Sequence, residues 1–313
     1  MMSELSLKNN SPLENIEIGT GTWAWGDRLV WGYGNKYSGK EVEETFHEAV
    51  SNGLRLFDTA ETYGQGKSES YLGRLIPTED AKIIIASKIM PFPWRLGKHA
   101  LRNALLASLK RLSLSNIDLY QMHWPLPPVS VENWMNQMAD VYEDGLISAV
   151  GVSNYNLTLT RRASDALKKR GISMVSNQVE YHLLEKRIEK NGLLEFCKEN
   201  GIKVIAYSPL AMGILSGKYT PENPPRGARA SRYNRSLLEK IQPLIRLMKK
   251  IGMDHDGKTA SQVALNWVIS KGAIPIPGAK NANQVIQNVG SLGWQLSPEE
   301  VNQLDGISDK VVS

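Results

Sequence analysis

The chain is nearly without cysteine. Cys197 is the only one in 313 residues, so no internal disulfide can form and no thiolate cluster can hold a metal. It lies in LLEFCKEN, a helix-like segment, where a small buried hydrophobe is the ordinary reading. Long apolar runs are missing as well. None approaches the roughly 18 residues of a membrane span, and the first residues, MMSELSLKNNSPLENIEIG, lack both the apolar stretch of a signal peptide and the arginines of a transit peptide. A cytoplasmic protein with no membrane association is expected. A strong excess of positive or negative residues is missing: 37 Lys and Arg stand against 32 Asp and Glu, for a net charge of +5. The basic residues are scattered, and the densest groups, Lys168-Lys169-Arg170 and Lys249-Lys250, read as solvated helix ends. No nucleic-acid partner is expected, and the small excess suits a pocket for an anionic small molecule. A glycine-rich phosphate loop is also absent. Gly19-Thr20-Gly21 lies inside an apolar run and no GxGxxG opens a helix, which excludes a doubly wound dinucleotide fold.

What is present is a repeat of apolar runs. Eight can be picked out: Ile16 to Thr22, Leu54 to Phe57, Ile83 to Ser87, Ile117 to Met122, Ile147 to Val152, Met174 to Val179, Lys203 to Tyr207 and Ala273 to Ile276. They are nearly continuous in hydrophobicity rather than alternating, as strands buried on both faces require. Helix-period segments separate them: Glu41 to Val50, Ser68 to Leu75, His99 to Leu112, Val131 to Tyr142, Thr158 to Lys169, Ile188 to Glu199, Leu237 to Ile251 with Ala260 to Ser270, and the end of the chain. Several helices stop at glycine, as in Asn52-Gly53 and Asn200-Gly201. Eight strand–helix units imply an α/β fold of the (β/α)8 TIM-barrel type, and with no linker composition in between, residues 1–313 are expected to form a single domain. A short N-terminal hairpin turning at Asn9-Asn10 is expected to close the bottom of the barrel. A long loop is expected after strand 7, from Ser208 to Arg235. Its arginines, Arg226, Arg229 and Arg232, favour a place near phosphates.

In such a barrel the loops after the strands share one rim, and chemistry gathers there. The ends of the eight runs bring Trp23, Asp58, Lys88, His123, Ser153-Asn154, Gln178, Tyr207-Ser208 and Gly278 to that rim, with Tyr63 in the loop after the second. Singly, Asp58 reads as an ion-pair partner and His123 as a core histidine. Together, an acid, a lysine, a histidine and a tyrosine on neighbouring strands make a site that protonates an oxygen while a nucleophile reaches the adjacent carbon. A lysine beside a carboxylate stays charged, and its charge is expected to lower the pKa of Tyr63. A metal is not expected, since His123 and His182 are not at ligand spacing.

The motifs LFDTAETYG, GKSESYLG, ASKI, DLYQMHWP, VGVSNY, NQVEYH, AYSPLAMGILSGKY and IPIPGAKNANQVIQN follow one another from Gly19 to Asn288. In that order they resemble the aldo-keto reductase family and, more distantly, the potassium-channel β-subunits that share its fold. The resemblance implies a (β/α)8 barrel, NADPH as cofactor, and reduction of an aldehyde or ketone to an alcohol. It implies Tyr63 as proton donor, Lys88 and Asp58 as the pair that tunes it, and His123 as the residue that orients the substrate. Ser153, Asn154 and Gln178 would bind the nicotinamide carboxamide, and Tyr207 would stack on its ring. Thr22, Trp23 and Asp58 would also contact the cofactor, while Ser208, Pro209, Leu210, Gly213, Leu215, Gly217 and Lys218 would wrap the pyrophosphate. Lys280 would meet the adenosine 2′-phosphate, with Gln284, Gln287 and Asn288 around ribose and adenine and Gly278 and Ala279 also at the cofactor. Gln287 stands where many members have glutamate, and position 284 is not arginine.

Tryptophans crowd the loops expected at the mouth: Trp23, Trp25 and Trp31 after the first strand, Trp94 after the third, Trp124 after the fourth. A small-molecule carbonyl substrate is expected to contact Trp23, Trp25, Tyr63, His123 and Trp124. An apolar or aromatic aldehyde suits that lining, as does one with a polar ring such as pyridoxal.

Overall fold

Strands that are apolar on both faces need cover on both, and the chain wraps its own strands to provide it. The computed structural model describes residues 11–312. Its strands β1 (Gly19–Gly21), β2 (Leu56–Asp58), β3 (Ile84–Ile89), β4 (Leu119–Met122), β5 (Val150–Ser153), β6 (Met174–Glu180), β7 (Lys203–Tyr207) and β8 (Ile274–Pro275) lie side by side in that order, all parallel. The sheet closes through one parallel bridge, Gly21 to Gly278, where Gly21 N donates to Pro277 O at 3.1 Å. A Cβ on Gly21 would lie 2.8 Å from the Ile276 carbonyl oxygen, so the seam needs glycine.

Helices α1 (Gly39–Ser51), α2 (Lys67–Leu75), α3 (Ala100–Leu112), α4 (Val131–Glu143) and α5 (Leu157–Lys168) each follow a strand. So do α6 (Arg187–Lys190) with α7 (Leu193–Glu199), then α8 (Ala228–Arg232), α9 (Arg235–Asp254) and α10 (Ala260–Ser270), and finally α11 (Ala282–Val289) and α12 (Pro298–Val312). Their starts are written in the sequence. Ser38 and Thr259 open α1 and α10 with complete capping boxes, and the side chains of Ser130, Asn156 and Asn234 accept from the first turns of α4, α5 and α9.

Side-chain alternation along each strand sorts residues between two cores. Leu56, Ala86, Leu119, Ile205 and Ile274 join Leu13 in a cluster that fills the barrel, while Phe57, Ile85, Tyr120 and Val204 pack outward under the helices. Two residues further along the inward face come Asp58, Lys88, Gln121, Tyr207 and Ile276. The apolar plug is therefore the floor on which the polar residues stand.

Two expectations are revised. β1 is three residues long, not seven, and pairs with β2 only over Gly19–Gly21. The segment Ile188 to Glu199 is two helices, broken where Gly192 takes a left-handed φ of 78° and Asn191 Oδ1 accepts from Leu193 N. The long loop expected after β7 is present, and it carries 3-10 turns over Ala211–Ser216 and then α8. The hairpin at Asn9-Asn10 lies outside the described residues.

Gly73 fixes the approach of α2 to α3: a Cβ there would lie 2.6 Å from the Leu112 carbonyl carbon. Gly73→Ala is expected to lower unfolding stability in urea by about 2 kcal/mol through this backbone overlap. Gly306→Ala in α12, with open space around it, is expected to raise stability by about 0.5–1 kcal/mol.

Candidate active site

Asp58 and Lys88 end up on neighbouring strands with their side chains inside the barrel, 2 % and 0 % exposed. Two charges so far from water persist only as a pair with every remaining hydrogen-bonding group satisfied. Here they are. Lys88 Nζ donates to Asp58 Oδ1 at 2.6 Å, to Thr59 O at 2.9 Å and to Tyr63 Oη at 3.3 Å. Gln178 Nε2, from β6, donates to Asp58 Oδ2 at 2.7 Å. Behind them three buried hydroxyls lock the backbone. Ser68 Oγ lies 2.6 Å from Thr22 Oγ1 and 2.8 Å from Thr59 Oγ1, and Thr22 Oγ1 donates to Asp58 O at 2.8 Å.

An ammonium has three hydrogens, and these contacts use all of them. The Tyr63 oxygen therefore accepts from Lys88, and its own proton is directed elsewhere. Burial, and then the carboxylate of Asp58, holds the Tyr63 phenol well above the ordinary tyrosine range. This reverses the expectation that Lys88 lowers it: the loss of water around the hydroxyl outweighs the ammonium, whose own pKa burial lowers against the pull of Asp58. At neutral pH Tyr63 is therefore protonated. His123, following β4, stands edge-on to the Tyr63 ring at 5.8 Å. Burial, aided by the Lys88 charge, pushes the His123 pKa down to about 3, so the ring is neutral. Its Nδ1 has no hydrogen-bond partner among the described residues.

These groups open into a cavity of about 780 Å³ at the C-terminal ends of the strands. Asp58, Tyr63, His123, Ser153, Asn154, Gln178 and Tyr207 line one part of it, and Ser208, Pro209, Leu210, Gly213, Lys218, Gly278, Lys280, Gln284, Gln287 and Asn288 the rest. The polar residues are pre-set by one another. Asn154, at a left-handed φ of 62°, donates from Nδ2 to His123 O at 3.0 Å, and its Oδ1 accepts from the Tyr207 hydroxyl at 2.9 Å. Ser153 Oγ donates to Gln178 O at 2.9 Å. Gln284 folds back, its Oε1 accepting from Lys280 N at 2.9 Å.

Not every expected residue reaches the cavity. Trp25 is fully buried, with its Nε1 donating to Ala279 O at 3.0 Å and its ring against Phe57, so it is core and not a substrate contact. Thr22, Leu215 and Ala279 are likewise buried behind the wall, and Gly217 is not part of the lining. Trp94 stacks on Phe92 at 4.6 Å beside a separate groove. Trp23 and Trp124 do line the cavity, 38 % and 41 % exposed. Of the loop arginines, Arg232 reaches it and Arg226 does not, while the side chain of Arg229 lies outside the description.

Glu180, Thr62, Met212 and Ser261 also line the cavity and were not singled out from the sequence. Glu180 was the most legible of them, two residues beyond Gln178 on the same strand. Although burial works against it, His182 and Arg232 hold its carboxyl below the usual range. The Arg232 guanidinium lies 2.8 Å from it. Among the described residues no helix is long and apolar enough to cross a membrane.

The chain matches the model of the aldo/keto reductase family over residues 17–309. It is 39% identical over 310 residues to the chloroplastic pyridoxal reductase of Arabidopsis thaliana, covering 94% of this chain and 83% of the other. Among solved structures it is similar to an aldo-keto reductase from Klebsiella pneumoniae in complex with NADPH, at 29% identity and a TM-score of 0.71, covering 93% of this chain and 90% of that one. It is also similar to a glycerol dehydrogenase from Gluconobacter oxydans, at 26% identity and a TM-score of 0.83, with 95% and 93% covered.

With its pKa near 3, the His123 imidazole is expected to stay neutral across the physiological range. Its ring signals in an NMR titration should not move between about pH 5 and 8, whereas a midpoint near the ordinary histidine value of about 6.5 would contradict the burial argument.

Proposed function

The chain belongs to the aldo/keto reductase family, and from that premise we propose that it reduces an aldehyde to its alcohol using NADPH, with Tyr63 giving the proton to the carbonyl oxygen. The observation that carries this reading is the direction of the hydrogen bond between Lys88 and Tyr63. Because the lysine donates, the phenolic hydrogen is left for an oxygen in the cavity. As that proton departs, the ammonium already in place steadies the phenolate, and Asp58 with Thr59 O keeps the ammonium from moving. His123, neutral beside Tyr63, orients the carbonyl and does not compete as an acid.

The residues present fit the dinucleotide. Tyr207 offers a ring at one end of the cavity, Ser153, Asn154 and Gln178 offer amide and hydroxyl partners, and Lys218, Arg232 and Lys280 supply cations for phosphates. Bound there, NADPH supplies the hydride. The preference for NADPH is supported by Lys280 and by the similarity to a reductase solved with that coenzyme. Ser153, Asn154 and Gln178 are already hydrogen-bonded among themselves and to Asp58, so a carboxamide would meet partners whose positions are fixed.

For the substrate, Trp23 stacks on Tyr63 at 6.2 Å and Trp124 follows His123 in the chain. A flat aromatic aldehyde lying between them would present its carbonyl to the phenol. Pyridoxal is such an aldehyde, and the similarity to a pyridoxal reductase supports it.

The test uses purified protein, NADPH and a panel of aldehydes, followed by loss of NADPH absorbance. Turnover of aromatic aldehydes, pyridoxal among them, is expected; turnover of small polar aldehydes alone would overturn the substrate assignment. Tyr63→Phe is expected to lower kcat by at least about 10²-fold with NADPH affinity little changed. Retained turnover in that variant would remove Tyr63 from its role.

A further inference from the structure

Among the described residues Trp31 touches Trp23 on one side and Lys280 on the other, and all three line the cavity. Its backbone is set by a tight turn, in which Asp27 Oδ1 accepts from Val30 N at 2.7 Å and from Trp31 N at 3.1 Å. On one side, the Trp31 ring meets Trp23 edge-to-face at 5.5 Å and 88°, and Trp23 in turn stacks on Tyr63. On the other, the Lys280 ammonium sits 4.5 Å from the centroid of the Trp31 ring and 5.3 Å from that of Tyr37. Tyr37 is itself buried and anchored by its hydroxyl on Ala24 O. Two aromatic rings thus form a seat for one ammonium, and both Trp31 and Lys280 line the cavity.

A lysine has four flexible carbons, and an anion that recruits it must otherwise order them. The negative faces of two rings hold the ammonium in place beforehand, at little cost to its ability to meet an anion. The other cations of the lining are differently placed. Arg232 is already matched to Glu180, and Lys218 lies over Tyr219 at 5.0 Å. Gln284, beside Lys280, is neutral and turned to the backbone. Among the described cations of the lining, Lys280 is the one whose seat is built of rings next to Trp23, and an extra phosphate at this end would meet it there.

We propose that Trp31 is a specificity-determining residue, which seats the Lys280 ammonium for the 2′-phosphate of NADPH and, through its edge on Trp23, ties that recognition to the wall of the aldehyde site. This rests on the NADPH reading above. The consequence is that loss of the indole face weakens NADPH much more than NADH, which has no 2′-phosphate, and raises the KM of an aromatic aldehyde.

The test is calorimetric binding of NADPH and of NADH to the wild-type chain, Trp31→Phe and Trp31→Leu, with the KM of the aldehyde measured alongside. Trp31→Leu keeps apolar bulk but has no aromatic face, and it is expected to weaken NADPH roughly fivefold to tenfold while NADH changes less than about twofold. Trp31→Phe keeps a face for the ammonium and should retain most of the discrimination. If the wild type prefers NADPH and Trp31→Leu keeps that preference, or weakens both coenzymes alike, the role of Trp31 is overturned while the NADPH reading stands. If the wild type binds both equally, the two fall together.

Discussion

A lysine and an aspartate buried side by side inside a barrel constrain everything near them. Removing either charge alone would strand the other in a medium that solvates it poorly, at a cost of about 3–5 kcal/mol. The pair is therefore surrounded by groups that complete it: a carbonyl and a phenol for the ammonium, a glutamine amide for the second carboxylate oxygen. These partners come from β2, the loop after it, β3 and β6, so the ion pair ties distant strands into one rigid site. The hydroxyls of Thr22, Ser68 and Thr59 extend the tie to β1 and α2. Such a centre has few ways to relax, so the geometry around Tyr63 is set before any ligand arrives.

The same burial sets the protonation states. Tyr63 stays protonated and His123 stays neutral because water is excluded from both, and the charges of Asp58 and Lys88 push each further in the same direction. A protonated phenol and a neutral imidazole thus stand side by side at the rim. Cys197, by contrast, is buried away from any charge, and burial pushes its thiol up to about 12, leaving it inert.

Much of this was legible in the residues. The strand order, the rim and the meeting of Asp58, Tyr63, Lys88 and His123 follow from where apolar runs stop, because a period of two carries the inward face of each strand from the plug to the rim. What was not legible depended on distance in space. Trp25 and Trp23 are two residues apart in the same loop, yet one is core and the other faces the cavity, since only the fold places Ala279 and Phe57 against the former. The bond from Gln178 to Asp58 spans 120 positions of sequence, and no local pattern announces it. The direction of the Tyr63 pKa was misjudged for a related reason: the charge of a neighbour can be read from a sequence, but the depth of burial cannot. The break at Gly192 was marked by its glycine and overlooked because the apolar spacing runs through it.

The most direct measurement is the rate of hydride transfer in a single turnover for the double variant Asp58→Asn with Lys88→Met, which removes the ion pair without stranding a charge. With NADPH bound and the melting temperature close to that of the parent chain, the rate is expected to fall by at least about 10²-fold. A rate near that of the parent would contradict the claim that the buried pair makes Tyr63 a competent donor.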